Sequence, residues 1–145
     1  MTTATARRRS QPARGWDRQP ADVPVEELDV LRRWHPNVLI CGRPEETAAA
    51  LEALKGVFRP IVVRWSRGAT LPLPPEDAAR TLILHDVDAL SPEERRRLLS
   101  WLDEPVRTVQ VVATTARPLW PLVESGNFDP SLYYALNVVY LNLSS

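Results

Sequence analysis

Short apolar runs of strand length alternate with longer amphipathic or capped segments along the chain. The predicted strands are residues 37–41, 60–64, 81–84, 109–113 and 138–143. The predicted helices are residues 25–34, 44–54, 92–102, 118–124 and 130–136, and a loop rich in proline is expected at residues 65–80. This alternation predicts a three-layer α/β domain with a mostly parallel, five-stranded sheet and right-handed crossovers.

The stretch formed by residues 81–102 has the most complete local signals. Its apolar strand, typical of a parallel sheet covered on both sides, is followed by Asp86 and Asp88. Ser91 can cap the next helix, and Glu94 stands three residues later, which completes a capping box. Many nucleotide-hydrolysing sheets present metal-binding carboxylates between a buried strand and a capped helix. The same arrangement is also an ordinary way for a chain to leave a sheet.

Length and composition restrict the possible functions. The 145 residues suit one domain, and a hydrophobic fraction of 44% is enough for a core. The composition of residues 1–24 predicts a disordered arm ahead of a core over residues 25–145. A net charge of zero gives no overall attraction to nucleic acid or anionic membrane, so we expect neither DNA contact nor membrane association. The single cysteine, Cys41, is expected to be buried in a cytoplasmic protein.

In a parallel sheet a ligand binds beyond the carboxyl ends of the strands. Residues 42–47, 86–88 and 114–117 each follow or end a predicted strand. We therefore expect these three segments to converge at one edge of the sheet, where any functional site would lie.

Three segments, residues 87–102, 109–128 and 132–143, resemble the AAA+ core of bacterial sigma-54-dependent transcriptional activators. They correspond in order and spacing to the family's Walker B strand and helix, its sensor I strand, and its G-x-F-R-x-D-L-x-x-R-L-N-V segment. The resemblance implies a P-loop NTPase-like fold with strand order 5-1-4-3-2. The chain ends soon after the last predicted strand, so we expect no lid domain and no DNA-binding helix-turn-helix.

The family's Walker A loop, G-x-x-G-x-G-K, wraps phosphates with backbone amides and neutralises them with lysine. Aligned from Gly42 without a gap, this chain has Glu45 and Thr47 at the two later glycines and Ala48 at the lysine. The resemblance therefore implies a degenerate Walker A position. We expect a plain strand-to-helix turn, with acids that favour the helix N-terminus.

The Walker B position also departs from the family's apolar strand followed by Asp-Glu. One alignment places His85 at the metal-holding Asp and Asp86 at the catalytic Glu. The alternative places Asp86 at the metal position and Val87 at the catalytic one. Imidazole is a poor magnesium ligand. For His85, Asp86 and Asp88 we expect a solvated strand end or a local hydrogen-bonded pair, with no metal bound.

The remaining catalytic positions of the family are not matched. Thr115 and Ala116 stand at the sensor I position, where the family usually places Asn or His. Asp129 and Ala135 align with the arginines that reach into a neighbouring subunit's site. No GAFTGA-like sequence occurs between the second and third predicted strands. We therefore expect no nucleotide-driven ring.

These observations predict a non-catalytic AAA+-like binding or regulatory module, without a cofactor and connected with sigma-54-type transcription control. The alternative is a residual nucleotide-binding protein or weak ATPase of the same family that uses ATP with magnesium. A third interpretation is a remnant without a selected role.

A protein partner is expected, and aromatic residues on the last two predicted helices would suit its binding because tyrosine is enriched at interfaces. The candidate partner face, within residues 118–136, consists of Trp120, Phe128, Tyr133 and Tyr134. Packing in the core is the alternative role for such aromatic side chains.

Overall fold

The computed structural model describes residues 25–75, 79–104 and 108–143. The predicted disordered arm, residues 1–24, lies outside the described residues. The described part contains a five-stranded sheet in the order β2-β3-β4-β1-β5, and every pair of neighbouring strands is parallel. Its strands are β1 (Val38–Cys41), β2 (Val62–Trp65), β3 (Thr81–Leu84), β4 (Gln110–Thr115) and β5 (Val139–Asn142). The α/β class and the strand order implied by the resemblance are confirmed.

Helices follow β1, β3 and β4 and cover both faces of the sheet, while β2 and β3 are joined without a helix in the described residues. The helices are α1 (Val25–Trp34), α2 (Pro44–Leu54), α3 (Pro92–Leu102), α4 (Trp120–Glu124) and α5 (Pro130–Leu136), with 3₁₀ turns at Lys55–Val57 and Val87–Ala89. The start of α3 has the predicted capping box: Glu94 N–H donates to Ser91 Oγ at 3.1 Å, and Ser91 N–H donates to Glu94 Oε1 at 2.9 Å. Helix α4 was predicted to begin at Pro118, but it begins two residues later, at Trp120.

Two strands end later than predicted because pairing extends beyond the apolar runs, and five other strand boundaries lie one or two residues inside the predicted ones. Trp65, predicted to begin the loop, pairs with Leu84 as the last residue of β2 and is 2% exposed. Thr114 and Thr115 continue β4 and are buried. Their side chains are polar, so the apolar run ends before the strand does.

The sheet divides the core into two layers, as alternating side chains of its strands require. Ile40 and Val112 face α1 and α2, where Leu31 and Leu54 are fully buried. The opposite face packs against α3, α4 and α5, and its buried members include Leu39, Val111, Leu98 and Leu132. Both β1 and β3 are buried along their whole length, which explains their uninterrupted apolar sequences.

One arginine, with a side chain only 12% exposed, joins α3 and α5 beside their apolar packing. Arg95 Nε lies 3.6 Å from Asp129 Oδ1, and the guanidinium carbon lies 5.6 Å from the centre of the Phe128 ring. Arg95 Nη1 also donates to the Leu90 carbonyl at 3.0 Å. Asp129 occupies the N-cap position of α5, but its side chain makes no capping hydrogen bond. The carboxylate instead faces Arg95.

Candidate functional site

The three segments expected to converge do meet at the carboxyl edge of the sheet. Gly42 N–H, directly after β1, donates to the Thr115 carbonyl at 3.0 Å. Asp86 N–H, after β3, donates to Thr114 Oγ1 at 3.1 Å. The exits of β1, β3 and β4 therefore form one continuous surface, which is the position of the ligand site in parallel sheets.

The turn between β1 and α2 contains only two residues, Gly42 and Arg43. Glu45, Thr47 and Ala48, which align with the Walker A glycines and lysine, all lie inside the first turns of α2. The N–H groups of Glu46 and Thr47 donate to the Arg43 carbonyl at 2.8 and 2.9 Å. These two amides are therefore already hydrogen-bonded within the helix and do not point at a phosphate. The proline that begins α2 has no N–H.

A carboxylate of the chain itself lies at the N-terminus of α2. Glu46 folds back, so that its Oε1 accepts the Arg43 N–H at 2.8 Å and its Oε2 accepts the Arg43 guanidinium at 3.1 Å. Hydrogen bonds from the Arg43 side chain and backbone hold the pKa of Glu46 below its usual value. The same pairing raises the pKa of Arg43. A helix N-terminus favours an anion, and here Glu46 supplies it.

Gly42 allows this arrangement because it leaves room for two neighbours. A Cβ added to Gly42 would lie 3.0 Å from Leu143 Cβ and 3.1 Å from Glu46 Oε1. Close packing against the end of β5 and the folded-back carboxylate therefore accounts for the glycine, without any phosphate.

His85 and Asp86 leave β3 in different directions. His85 N–H donates to the Trp65 carbonyl at 2.9 Å, which continues the ladder with β2 by one residue. Its Nε2 lies 3.5 Å from Arg64 Nη1, and because guanidinium only donates, Nε2 is the acceptor. Burial, followed by repulsion from Arg64, lowers the pKa of His85. Asp86 is exposed in a left-handed conformation with φ of 58°.

Asp88 forms an ion pair that the sequence analysis missed. Arg117 Nε, beyond the end of β4, lies 3.2 Å from Asp88 Oδ2, and the Asp88 side chain is only 14% exposed. The Thr115 hydroxyl donates to the Arg117 carbonyl at 2.7 Å and holds the arginine beside the acid. Ala116, at the sensor I position, is exposed. The partners are 29 positions apart, so the ion pair left no local signal in the sequence. Arg43 is likewise not a residue of the usual capping box, so only the structure shows its pairing with Glu46.

Within residues 25–75, 79–104 and 108–143, no group of three or more His, Cys, Asp or Glu residues could hold a metal ion. Cys41 is buried as expected, and its burial raises the pKa of the thiol. None of the described helices is both long and apolar enough to cross a membrane.

The candidate partner face is only partly exposed. Trp120 is 41% and Tyr134 is 52% exposed, while Tyr133 is half-buried between them. The ring centres of Trp120 and Tyr133 are 5.5 Å apart, and those of Tyr133 and Tyr134 are 5.2 Å apart. Phe128 is 1% exposed, with the guanidinium of Arg95 near its ring. The prediction that Phe128 belongs to the partner face is therefore wrong, because Phe128 is a core residue.

Solved structures of AAA+ proteins share this fold. NtrX from Brucella abortus in complex with ATP is 15% identical with a TM-score of 0.63, and the match covers 99% of this chain and 42% of NtrX. The P-loop NTPase domain of a Sigma-54 transport activator from E. coli is 17% identical with a TM-score of 0.56, covering 83% of this chain and 91% of that domain. The RuvB Holliday junction branch migration motor of Thermotoga maritima is 15% identical with a TM-score of 0.52, covering 81% and 43%.

These identities show the fold alone, and this chain spans less than half the length of NtrX. The sequence matches no curated protein at a significant level. The family model described as "Sigma-54 interaction domain" matches residues 70–145, which is more than half of the chain. This chain therefore belongs to the Sigma-54 interaction domain family.

Proposed function

We propose that this chain is a non-catalytic binding or regulatory module of sigma-54-type transcription control, which acts in the bacterial cytoplasm without a nucleotide. The observation that carries the proposal is the fold-back of Glu46 onto Arg43, with Oε1 2.8 Å from the Arg43 backbone nitrogen. A carboxylate of the chain thereby takes the place at the N-terminus of α2 where a P-loop protein binds phosphate.

Electrostatics at this helix end oppose polyphosphate. ATP placed there would meet the carboxylate of Glu46 and, one residue earlier, that of Glu45. Arg43 pairs with both acids, so the three side chains together carry one net negative charge, which disfavours polyphosphate at this helix end. The only lysine of the chain, Lys55, follows the far end of α2 and pairs with Glu52 at 2.6 Å. With a rise of 1.5 Å per residue, the 11 residues of α2 separate Lys55 from the turn by roughly 16 Å.

The acids after β3 likewise do not fit a magnesium nucleotide site. Asp88 is paired with Arg117, and His85 lies beside Arg64 with its pKa lowered. Asp86 is the exposed acid, and one carboxylate outside any acidic cluster of the described residues is a poor magnesium site. Asp88 and His85 therefore each have a contact within the chain that requires no metal.

The second candidate function is residual nucleotide binding or weak ATPase activity. It is favoured by membership of the family and by the similarity of the fold to NtrX, which has been crystallised in complex with ATP. Thermal unfolding with 1 mM ATP and magnesium separates the two functions. A Kd of 10 µM would stabilise the folded chain by about 2.7 kcal/mol and raise Tm by roughly 10 °C.

We expect no change in Tm under these conditions, with ATP plus EDTA as the control. A reproducible increase of several degrees that disappears with EDTA would replace our proposal with the ATPase alternative. Light scattering after size exclusion addresses assembly in the same samples. We expect the oligomeric state to be independent of ATP, and a hexamer that forms only with nucleotide would contradict this.

The binding role is proposed for the exposed part of residues 118–136. Trp120 and Tyr134 lie beside each other there, with ring centres 6.4 Å apart. Exposed aromatic side chains of this kind are typical anchors of protein interfaces. Partner capture from bacterial extract should fall sharply with Tyr134→Asp at unchanged Tm. Trp34→Asp, at a more exposed aromatic position on α1, should leave capture intact.

A further inference from the structure

The surface around Trp120 and Tyr134 has an unusual charge distribution. Residues 118–143 include no lysine and no arginine, although they form α4, α5 and β5. Their two acids are Glu124, which is exposed, and Asp129, which faces Arg95. Arg117 directly precedes the segment but pairs with Asp88, so an incoming cation would meet aromatic rings and the carboxylate of Glu124.

Trp120 and Tyr134 each leave part of the side chain exposed to solvent. The three ring centres of Trp120, Tyr133 and Tyr134 are separated by 5.2 to 6.4 Å, so the rings pack on one another and leave no cage between them. An enclosed small cation is thereby excluded. A planar group that lies across the exposed indole and phenol is compatible with this geometry.

Guanidinium is the planar cation best suited to this surface. Arginine stacks on aromatic faces and is less strongly hydrated than lysine, so it loses less solvation on contact. The buried side of the same segment already has such a contact, because the guanidinium of Arg95 lies 5.6 Å from the Phe128 ring centre. Glu124 can add a charge-assisted hydrogen bond at the rim.

We propose that the face formed by Trp120, Tyr133 and Tyr134 binds an arginine-bearing segment of a partner protein. This specifies the partner chemistry of the binding role proposed above and rests on it. The exposed indole of Trp34, on the other side of the sheet, provides the contrast. It follows Arg32 and Arg33 and lines a cleft of about 440 Å³ together with Arg59 and Glu104, so arginines outnumber acids around it and a cationic segment is less favoured there.

The test uses the full chain and NMR of the five tryptophan indole N–H signals, assigned by single Trp→Phe substitutions. Hexa-arginine, hexa-lysine and hexa-glutamate peptides are titrated separately at physiological salt. We expect hexa-arginine to shift the Trp120 signal at a concentration about threefold lower than hexa-lysine does. Hexa-glutamate should leave the Trp120 signal in place, and Trp34 should not respond to hexa-arginine.

Substitutions at Tyr134 locate the contact. Tyr134→Ser should weaken hexa-arginine binding about threefold, while Tyr134→Phe, which keeps the ring, should retain it. Equal responses to arginine and lysine, or equal responses of Trp34 and Trp120, would overturn the proposal. If these appear while Tyr134→Asp still abolishes partner capture, the binding role stands and only the partner chemistry is wrong.

The chain has its own arginines at positions 7, 8, 9, 14 and 18. These arginines could occupy the aromatic face in place of a partner's arginine. Replacing Arg7, Arg8 and Arg9 with serine distinguishes binding of the chain's own arginines from binding of a partner segment. An unchanged Trp120 signal supports a partner segment as the occupant. A shift of that signal without any added peptide would identify the chain itself and overturn the assignment to a partner.

Discussion

Replacing Glu46 tests whether its carboxylate organises the start of α2. In the wild type Oε1 accepts the Arg43 N–H at 2.8 Å, and Oε2 accepts the guanidinium at 3.1 Å. Glu46→Gln keeps an acceptor for the backbone N–H but loses the negative charge. Glu46→Ala loses both hydrogen bonds.

The expected magnitudes follow from the exposure of the two partners. A side-chain cap at a helix N-terminus contributes about 0.5–2 kcal/mol, and an exposed ion pair about 0.2–1 kcal/mol. The Arg43 side chain is 69% exposed, so the guanidinium contact belongs at the lower end. We expect Glu46→Gln to cost about 0.7 kcal/mol and Glu46→Ala about 1.5 kcal/mol, equivalent to roughly 3 and 6 °C in Tm.

The pH dependence of the same variants gives an independent check. Because the pKa of Glu46 is lowered in the folded chain, its stabilising effect is present above the unfolded value, about 4.3. The effect is lost as the pH falls through the folded pKa. The difference in Tm between wild type and Glu46→Gln should therefore be constant from pH 7 to 5 and shrink below about pH 4.

Glu45→Gln is the matched control, since it changes the same charge in the same helical turn. Its carboxylate is 67% exposed and contacts only the guanidinium of Arg43, at 3.4 Å. Thermal unfolding should detect a change below about 0.5 kcal/mol. If Glu45→Gln and Glu46→Gln were equally destabilising, the effect would be a general one of charge at the helix end, and the specific fold-back would be refuted.

Three further predictions concern the packing around the site and the core. Gly42→Ala should destabilise the chain by about 1 kcal/mol because its Cβ is crowded, whereas Gly56→Ala, with no atom within 4 Å, should be neutral or stabilising in the same melts. His85→Gln should reduce the loss of Tm between pH 7.5 and 5.5. A histidine whose pKa is lowered in the folded chain stabilises it above about pH 6.5, and this stabilisation is lost as the pH falls. An unchanged pH profile would contradict this prediction. Trp101→Phe should cost about 1–2 kcal/mol in denaturant unfolding, since it removes the buried indole donor to the Pro74 carbonyl at 2.9 Å, and a cost near zero would show that this bond does not stabilise the loop.

Local pattern alone determined the secondary structure. Strand-length apolar runs and the capping signals at Ser91 and Glu94 predicted every strand and helix of the described residues, with errors of one or two residues at several ends. Such signals act between residues a few positions apart, so they can be read from the chain. The strand order could be anticipated only through the family resemblance, because periodicity does not say which strands become neighbours.

Tertiary structure alone decided how the site residues are paired. Asp88 meets Arg117 because the sheet places β3 beside β4, and no spacing in the sequence encodes that neighbourhood. Exposure on the aromatic face was decided in the same way. Phe128 and Trp120 are eight positions apart on one segment, yet the first is buried against α3 and the second faces solvent. Burial depends on which surface another element covers, and that choice is made only when the helices pack on the sheet.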